Sequence, residues 1–126
     1  MSTCFGSYEE IARKFPFDVA TYVVIVTHGH LHDLECVRAV LKRNYRHAGF
    51  IGSVRKTWLL LEQAKNDGFD RVKGEGLFAP IGLDINAETP EELAVTIVGE
   101  LIAVRRNALS LAEVSLARRT RGPAPK

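Results

Sequence analysis

From Tyr22 to Val26 every position is apolar or aromatic, and the run closes on Thr27-His28-Gly29. An apolar run without polar alternation predicts a strand covered on both faces, as in a parallel sheet. From Asp33 the period changes. Leu34, Val37, Val40 and Leu41 recur on one helical face, and Lys42-Arg43-Asn44 supplies a basic last turn. His47 to Gly52 predicts a second short strand. Ser53 then caps a helix that carries Val54, Trp58, Leu61 and Ala64 on one side, and Gly68 is placed to end it in the left-handed conformation. Leu77 to Ile81 reads as a third strand, with Pro80 suited to a strand end or a sheet edge.

Two capping signals frame this pattern. Ser7-Tyr8-Glu9-Glu10 has capping-box spacing and predicts a helix through Lys14, broken by Phe15-Pro16. Thr89-Pro90-Glu91-Glu92 is the strongest local signal: a Thr cap, Pro at the first helical position, then Glu. The helix it opens carries Leu93, Ala94, Ile97, Val98, Leu101 and Val104 on one side. The stretch from Phe69 to Gly76 reads as a loop.

A leading helix followed by three strand–helix units implies right-handed crossovers and a parallel sheet. The fold class expected is α/β, a three-layer Rossmann-like half domain with a short parallel sheet and flanking helices. A full dinucleotide-binding domain has two such halves, the first carrying G-x-G-x-x-G, which is absent here, so NAD is not expected. Without that half, Tyr22–Val26 would be a bare apolar edge. Either a second copy (a homodimer) or a separate chain supplying the missing half is expected to cover it.

Length and charge narrow the class. The 126 residues suit one domain, and no apolar run approaches the roughly 20 residues of a membrane span. MSTCFGSYEE lacks the regions of a signal peptide, and Cys4 and Cys36 form no metal-spacing motif, which together predict a reduced, cytoplasmic chain. The net charge of +2 is uneven: Arg105, Arg106, Arg118, Arg119, Arg121 and Lys126 face only Glu113. No aromatic is interleaved to stack on bases, so the end reads as solvated and no nucleic-acid partner is expected. The expected division is a Rossmann-like domain over 1–107 and a basic tail over 108–126, helical at its start and then disordered.

The cluster His28, His30, His32 and Asp33 invites a metal reading. It resembles the T-H-x-H-x-D-H motif of the metallo-β-lactamase superfamily, but its last pair is inverted, and only His47 remains downstream as a further His ligand. A zinc site on the three histidines alone would lack a Cys or carboxylate with matching spacing to close the coordination sphere. The favoured reading has no metal: Asp33 caps the helix and the histidines are solvated at the strand end.

Three stretches together, VVIVTHGHLHD (23–33), GFIGSVRK (49–56) and APIGLDINAETPEELAVTIVGELIAVRR (79–106), resemble the C-terminal Rossmann domain of the XdhC/CoxI family, the xanthine dehydrogenase accessory proteins. The resemblance runs from about Ser7 to Arg106. It implies a protein that binds molybdenum cofactor (molybdopterin), assists its sulfuration, and delivers it to a molybdenum hydroxylase such as xanthine dehydrogenase. Such a protein is a chaperone rather than an enzyme with turnover. Thr27, His28 and Asp33 match the family's strand-end motif; Gly52, Ser53, Arg55 and Lys56 match its second, with Val54 in place of Arg. Gly82, Leu83, Asp84, Ala87, Glu88, Thr89, Pro90 and Glu91 match the third, with Asn86 where Gly is usual; both residue types adopt positive φ. The resemblance thus makes Thr27, His28, Asp33, Gly52, Ser53, Arg55, Lys56, Gly82, Asp84 and Glu88 the cofactor-binding candidates.

The chemistry of these positions suits an anion. A strand end running through Gly52-Ser53 into a helix presents free N–H groups and the positive end of the helix dipole. Arg55 and Lys56 lie in the first turn, where cations disfavour the helix itself and so point to a phosphate-like partner. An ordinary Ser cap with two surface cations is the equal alternative. Asp84 and Glu88 either bind hydroxyl or pterin N–H groups or fix the loop. Two other functions stay open: a metal-dependent hydrolase using His28, His30 and His32, and a ligand-free oligomerising half domain.

Overall fold

The computed structural model describes residues 3–27, 30–68, 77–108 and 111–121. Ser7 accepts a hydrogen bond from the Glu10 amide and opens α1, Tyr8–Lys14, which stops at Phe15 ahead of Pro16. β1 is Tyr22–Ile25. α2 is His30–Leu41, beginning ahead of Asp33, so that Asp33 sits in its first turn and is not the cap. β2 is His47–Phe50, and Ser53 caps α3, Val54–Asn66, by accepting from the Lys56 amide. Gly68, at φ 94°, follows the end of α3 as the sequence predicts. β3 is only Leu77–Phe78, with Pro80 past its end.

The three strands form one parallel sheet in the order β1-β2-β3. Val23 pairs with Ala48 and Ile25 with Phe50; Ala48 pairs with Leu77. These residues share one face and join Leu34, Val37, Val40 and Leu60 of α2 and α3 in a single core. The opposite face carries His47, Gly49 and Phe78 and is covered by α4, Pro90–Arg105. This cover does not reach β1: Val24 and Val26 are 36% and 65% exposed. The expected strand buried on both faces is therefore covered on one only.

Two helical faces differ from expectation. α3 buries Thr57, Leu60 and Ala64, while Trp58 and Leu61 flank that stripe half-buried. In α4 the residues turned to the sheet are polar, Thr96 and Glu100, and Ala94 and Val98 of the expected core face are exposed. Its cap is as predicted: Thr89 accepts from Glu92, whose side chain accepts from the Thr89 amide.

The basic end is a second correction. α5, Leu111–Val114, and a 3-10 helix, Leu116–Thr120, return to the domain. The Asp84 amide donates to Val114 O at 2.7 Å, the Leu116 amide to Gly82 O at 2.9 Å, and the Thr120 hydroxyl to Ala79 O at 2.6 Å. Arg121 lies over the Phe78 ring at 4.5 Å. Hydroxyls and backbone groups, not an apolar period, seat this segment, and so it reads in sequence as a solvated tail. Residues 122–126 of that expected tail lie outside the described residues. Among the described residues, no helix is long and apolar enough to cross a membrane.

Candidate functional site

Parallel strands leave their carboxyl ends on one side of the sheet, where open α/β folds hold ligands. Ile25 is level with Phe50, and the Ile51 amide donates to Ile25 O at 3.2 Å. Thr27 and Gly52 each follow two residues further on, past the paired ends of the two strands. The Ile81 amide donates to Phe50 O at 2.9 Å, which brings Ile81-Gly82 to the same rim. Residues from all three candidate motifs thus converge at the strand ends.

At the first motif the Thr27 hydroxyl donates to Asp33 Oδ1, closing the loop between β1 and α2. The expected helix cap is thus a clasp across the β1–α2 turn. His28 lies outside the described residues, and so does the side chain of His30. His32 stacks edge-on against Tyr8 with ring centres 5.9 Å apart, and its Nδ1 is 3.8 Å from Glu35. Among the described residues, no group of His, Cys, Asp and Glu has metal-binding geometry.

The second motif has the parts of an anion site. α3 is 13 residues long, and the first-turn amides of such a helix have no intrahelical acceptor. Arg55 and Lys56 stand exposed in that turn, with no carboxylate partner among the described residues. Thr57, buried beside them, has a hydroxyl with no hydrogen-bond partner. That hydroxyl faces Gly52, where an added Cβ would come within 2.9 Å of it. An orphaned donor at a cationic helix start fits a phosphate group, whose oxygens accept from amides and hydroxyls alike.

The third motif is turned inward at Gly82 and Asp84. Asn86 has φ 60°, which explains its tolerance where Gly is usual. Gly82, at φ 118°, is buried, and its amide donates to Glu100 Oε1 at 3.2 Å. Asp84 is gripped by Arg118 Nη1 at 2.5 Å and Arg119 Nη2 at 2.7 Å. Burial pushes its carboxyl up, but the two guanidiniums more than offset this and hold it below the usual carboxylate range. Glu88 is exposed, and its amide donates to the Glu92 carboxylate that closes the cap. Thr27, Asp33, Gly52, Ser53, Arg55 and Lys56 therefore gather at the rim, while Asp84 is engaged by the returning segment.

Sequence reading passed over the most buried polar group. Glu100 Oε2 lies 2.9 Å from His47 Nε2, and the two side chains are 0% and 2% exposed. Its Oε1 also accepts from the Ser115 hydroxyl at 2.7 Å. One signal was present: Thr96 and Glu100, four residues apart, are the polar pair within a helix apolar nearly all round. Beside β1, on the α1–α2 side, Tyr8, Phe17, Val24, Val26, Thr27 and Cys36 line an apolar cavity of about 240 Å³. Burial, then Glu35 and Asp33, push the Cys36 thiol up to about 12.

A short parallel sheet with helices on both faces, and loops gathered at its carboxyl rim, defines a Rossmann-like α/β domain. The chain belongs to the XdhC Rossmann domain family, whose model matches residues 3–101. It is similar to a probable xanthine dehydrogenase subunit of Bacillus subtilis (strain 168), 34% identical over 98 residues, which is 78% of this chain and 28% of that one. It is also similar to the uncharacterized protein YqeB of Escherichia coli (strain K12), 32% identical over 87 residues, 69% of this chain and 16% of that one. Among solved structures, a xanthine dehydrogenase from Bacillus halodurans superposes with a TM-score of 0.68 at 29% identity, covering 92% of this chain and 32% of that chain. The chain thus spans less than a third of each of these relatives.

Proposed function

We propose that the chain serves a xanthine dehydrogenase-type molybdenum hydroxylase as an accessory protein, binding or helping to deliver its molybdenum cofactor without catalytic turnover. The observation that carries this reading is the convergence of Thr27, Asp33 and the cationic start of α3 on one rim, beside the unpartnered Thr57 hydroxyl. The relatives named for xanthine dehydrogenase support the choice of client. Molybdopterin brings a phosphate and a pterin edge rich in hydrogen-bonding groups. The Val54 and Arg55 amides at the start of α3, with the Arg55 and Lys56 side chains, would hold the phosphate, and Thr27 and Asp33 would face the remainder. The exposed side of β1, at Val24 and Val26, leaves room for further strands to pair there.

Titration of the chain with molybdopterin tests this. The double variant Arg55→Ala/Lys56→Ala is expected to bind at least about tenfold more weakly, given that charge-assisted bonds are worth about 1.5–3 kcal/mol each. Equal affinity for both proteins would sink the site assignment. Thr57→Val offers a sharper contrast. Valine fills the same space and removes a buried hydroxyl that has no partner, so the melting temperature should hold or rise. Affinity for molybdopterin should nevertheless fall, because the ligand loses that donor. Unchanged affinity would assign the hydroxyl to packing alone.

A further inference from the structure

α4 departs from an ordinary surface helix: Leu93, Ile97, Leu101 and Val104 are half-buried, but its fully buried residues are polar. Its polar Thr96 and Glu100 face inward, while Val95, Val98 and Ile102 are 66%, 53% and 54% exposed. Helices normally turn the apolar stripe to the core and the polar one to water. The exposed residues are not scattered. Glu91, Val95, Val98, Ile102 and Arg105 are all exposed, and they succeed one another at spacings of four, three, four and three. That alternation is the seam of a helix that packs against another helix at a shallow crossing angle.

The two ends of the seam identify what covers it. Glu91 lies in the first turn and Arg105 in the last. Neither has an ion-pair partner among the described residues, whereas the neighbouring Glu92 is used in the capping box. A seam with an acid at one end, a base at the other and Val98 at its midpoint is complementary to itself when reversed. Two antiparallel copies place Glu91 against the partner's Arg105, twice, and Val98 against the partner's Val98. A parallel arrangement would set acid against acid and base against base. Self-complementarity under a two-fold axis is the requirement of an isologous dimer. Antiparallel helices also bring opposite dipole ends together.

We infer that the α4 seam is a homodimer surface, pairing antiparallel with α4 of a second copy. This goes beyond the accessory role and does not depend on it. It gives the second copy a face of its own, apart from the β1 edge.

Sedimentation equilibrium of the chain and its seam variants tests the inference. The unaltered chain is expected to dimerise. Glu91→Arg and Arg105→Glu should each weaken self-association at least tenfold, because each sets like charges together at both ends. An equimolar mixture of the two variants should recover the dimer, since the ends then match again. Val98→Ser, which leaves the charges alone, should also weaken it, with an unchanged circular dichroism spectrum. Three results would overturn the inference: a monomeric unaltered chain, single variants that dimerise like it, or folded variants whose mixture stays monomeric. Phosphate affinity measured on the same samples separates this from the ligand reading, because the α3 site contributes nothing to the seam.

Discussion

Replacing Glu100 by alanine is expected to lower the unfolding free energy by about 3–5 kcal/mol, the usual cost of removing one partner from a buried pair. The carboxylate takes His47 on one oxygen, and the Gly82 amide and Ser115 hydroxyl on the other, with no solvent access. Alanine would strand all three donors in the interior, each at a desolvation cost of about 1–3 kcal/mol if unpaired. The contacts span β2, the Gly82 loop and the returning C-terminal segment, so one substitution loosens three parts of the chain. Urea unfolding should show a lower midpoint at unchanged slope. A loss below about 1 kcal/mol would mean that water replaces the carboxylate at little cost.

Gly49→Ala is expected to be nearly as severe, for a steric reason. A Cβ at Gly49 would stand 2.2 Å from the Phe78 carbonyl oxygen and 2.9 Å from Ile81 Cβ. The first contact is with backbone, which cannot rotate away, so β2 and β3 would have to part. Overpacking costs about 1–3 kcal/mol where side chains can adjust, and this site should lie at or above the upper end. A fall in melting temperature on the order of 10 °C follows for a domain of this size. A variant that melts with the unaltered chain would show that the β2–β3 spacing is adjustable.

The sequence was most legible where backbone chemistry is local. Ser7, Ser53 and Thr89 cap the helices they were expected to cap, and Gly68 follows the end of α3, because a cap needs only neighbours a few residues away. The parallel sheet followed from the alternation of strand and helix patterns. Faces were less legible. A helix as uniformly apolar as α4 has no dominant stripe, and its orientation is decided by where Glu100 can find His47, fifty-three positions earlier in sequence. The returning segment was illegible for a related reason: it is seated by Ser115, Thr120 and backbone carbonyls, which leave no hydrophobic period. Asp84 matched a family motif, yet nothing local showed that Arg118 and Arg119 would reach it.

Residue-resolved NMR of the isotopically labelled chain, titrated with molybdopterin, tests the central claim most directly. The amides of Gly52 through Thr57 should shift, joined by Thr27 and Asp33 across the rim, and the Arg55→Ala/Lys56→Ala variant should lose the response. Shifts confined to the Leu83–Glu88 loop, or none at saturating ligand, would contradict a cofactor site at the start of α3.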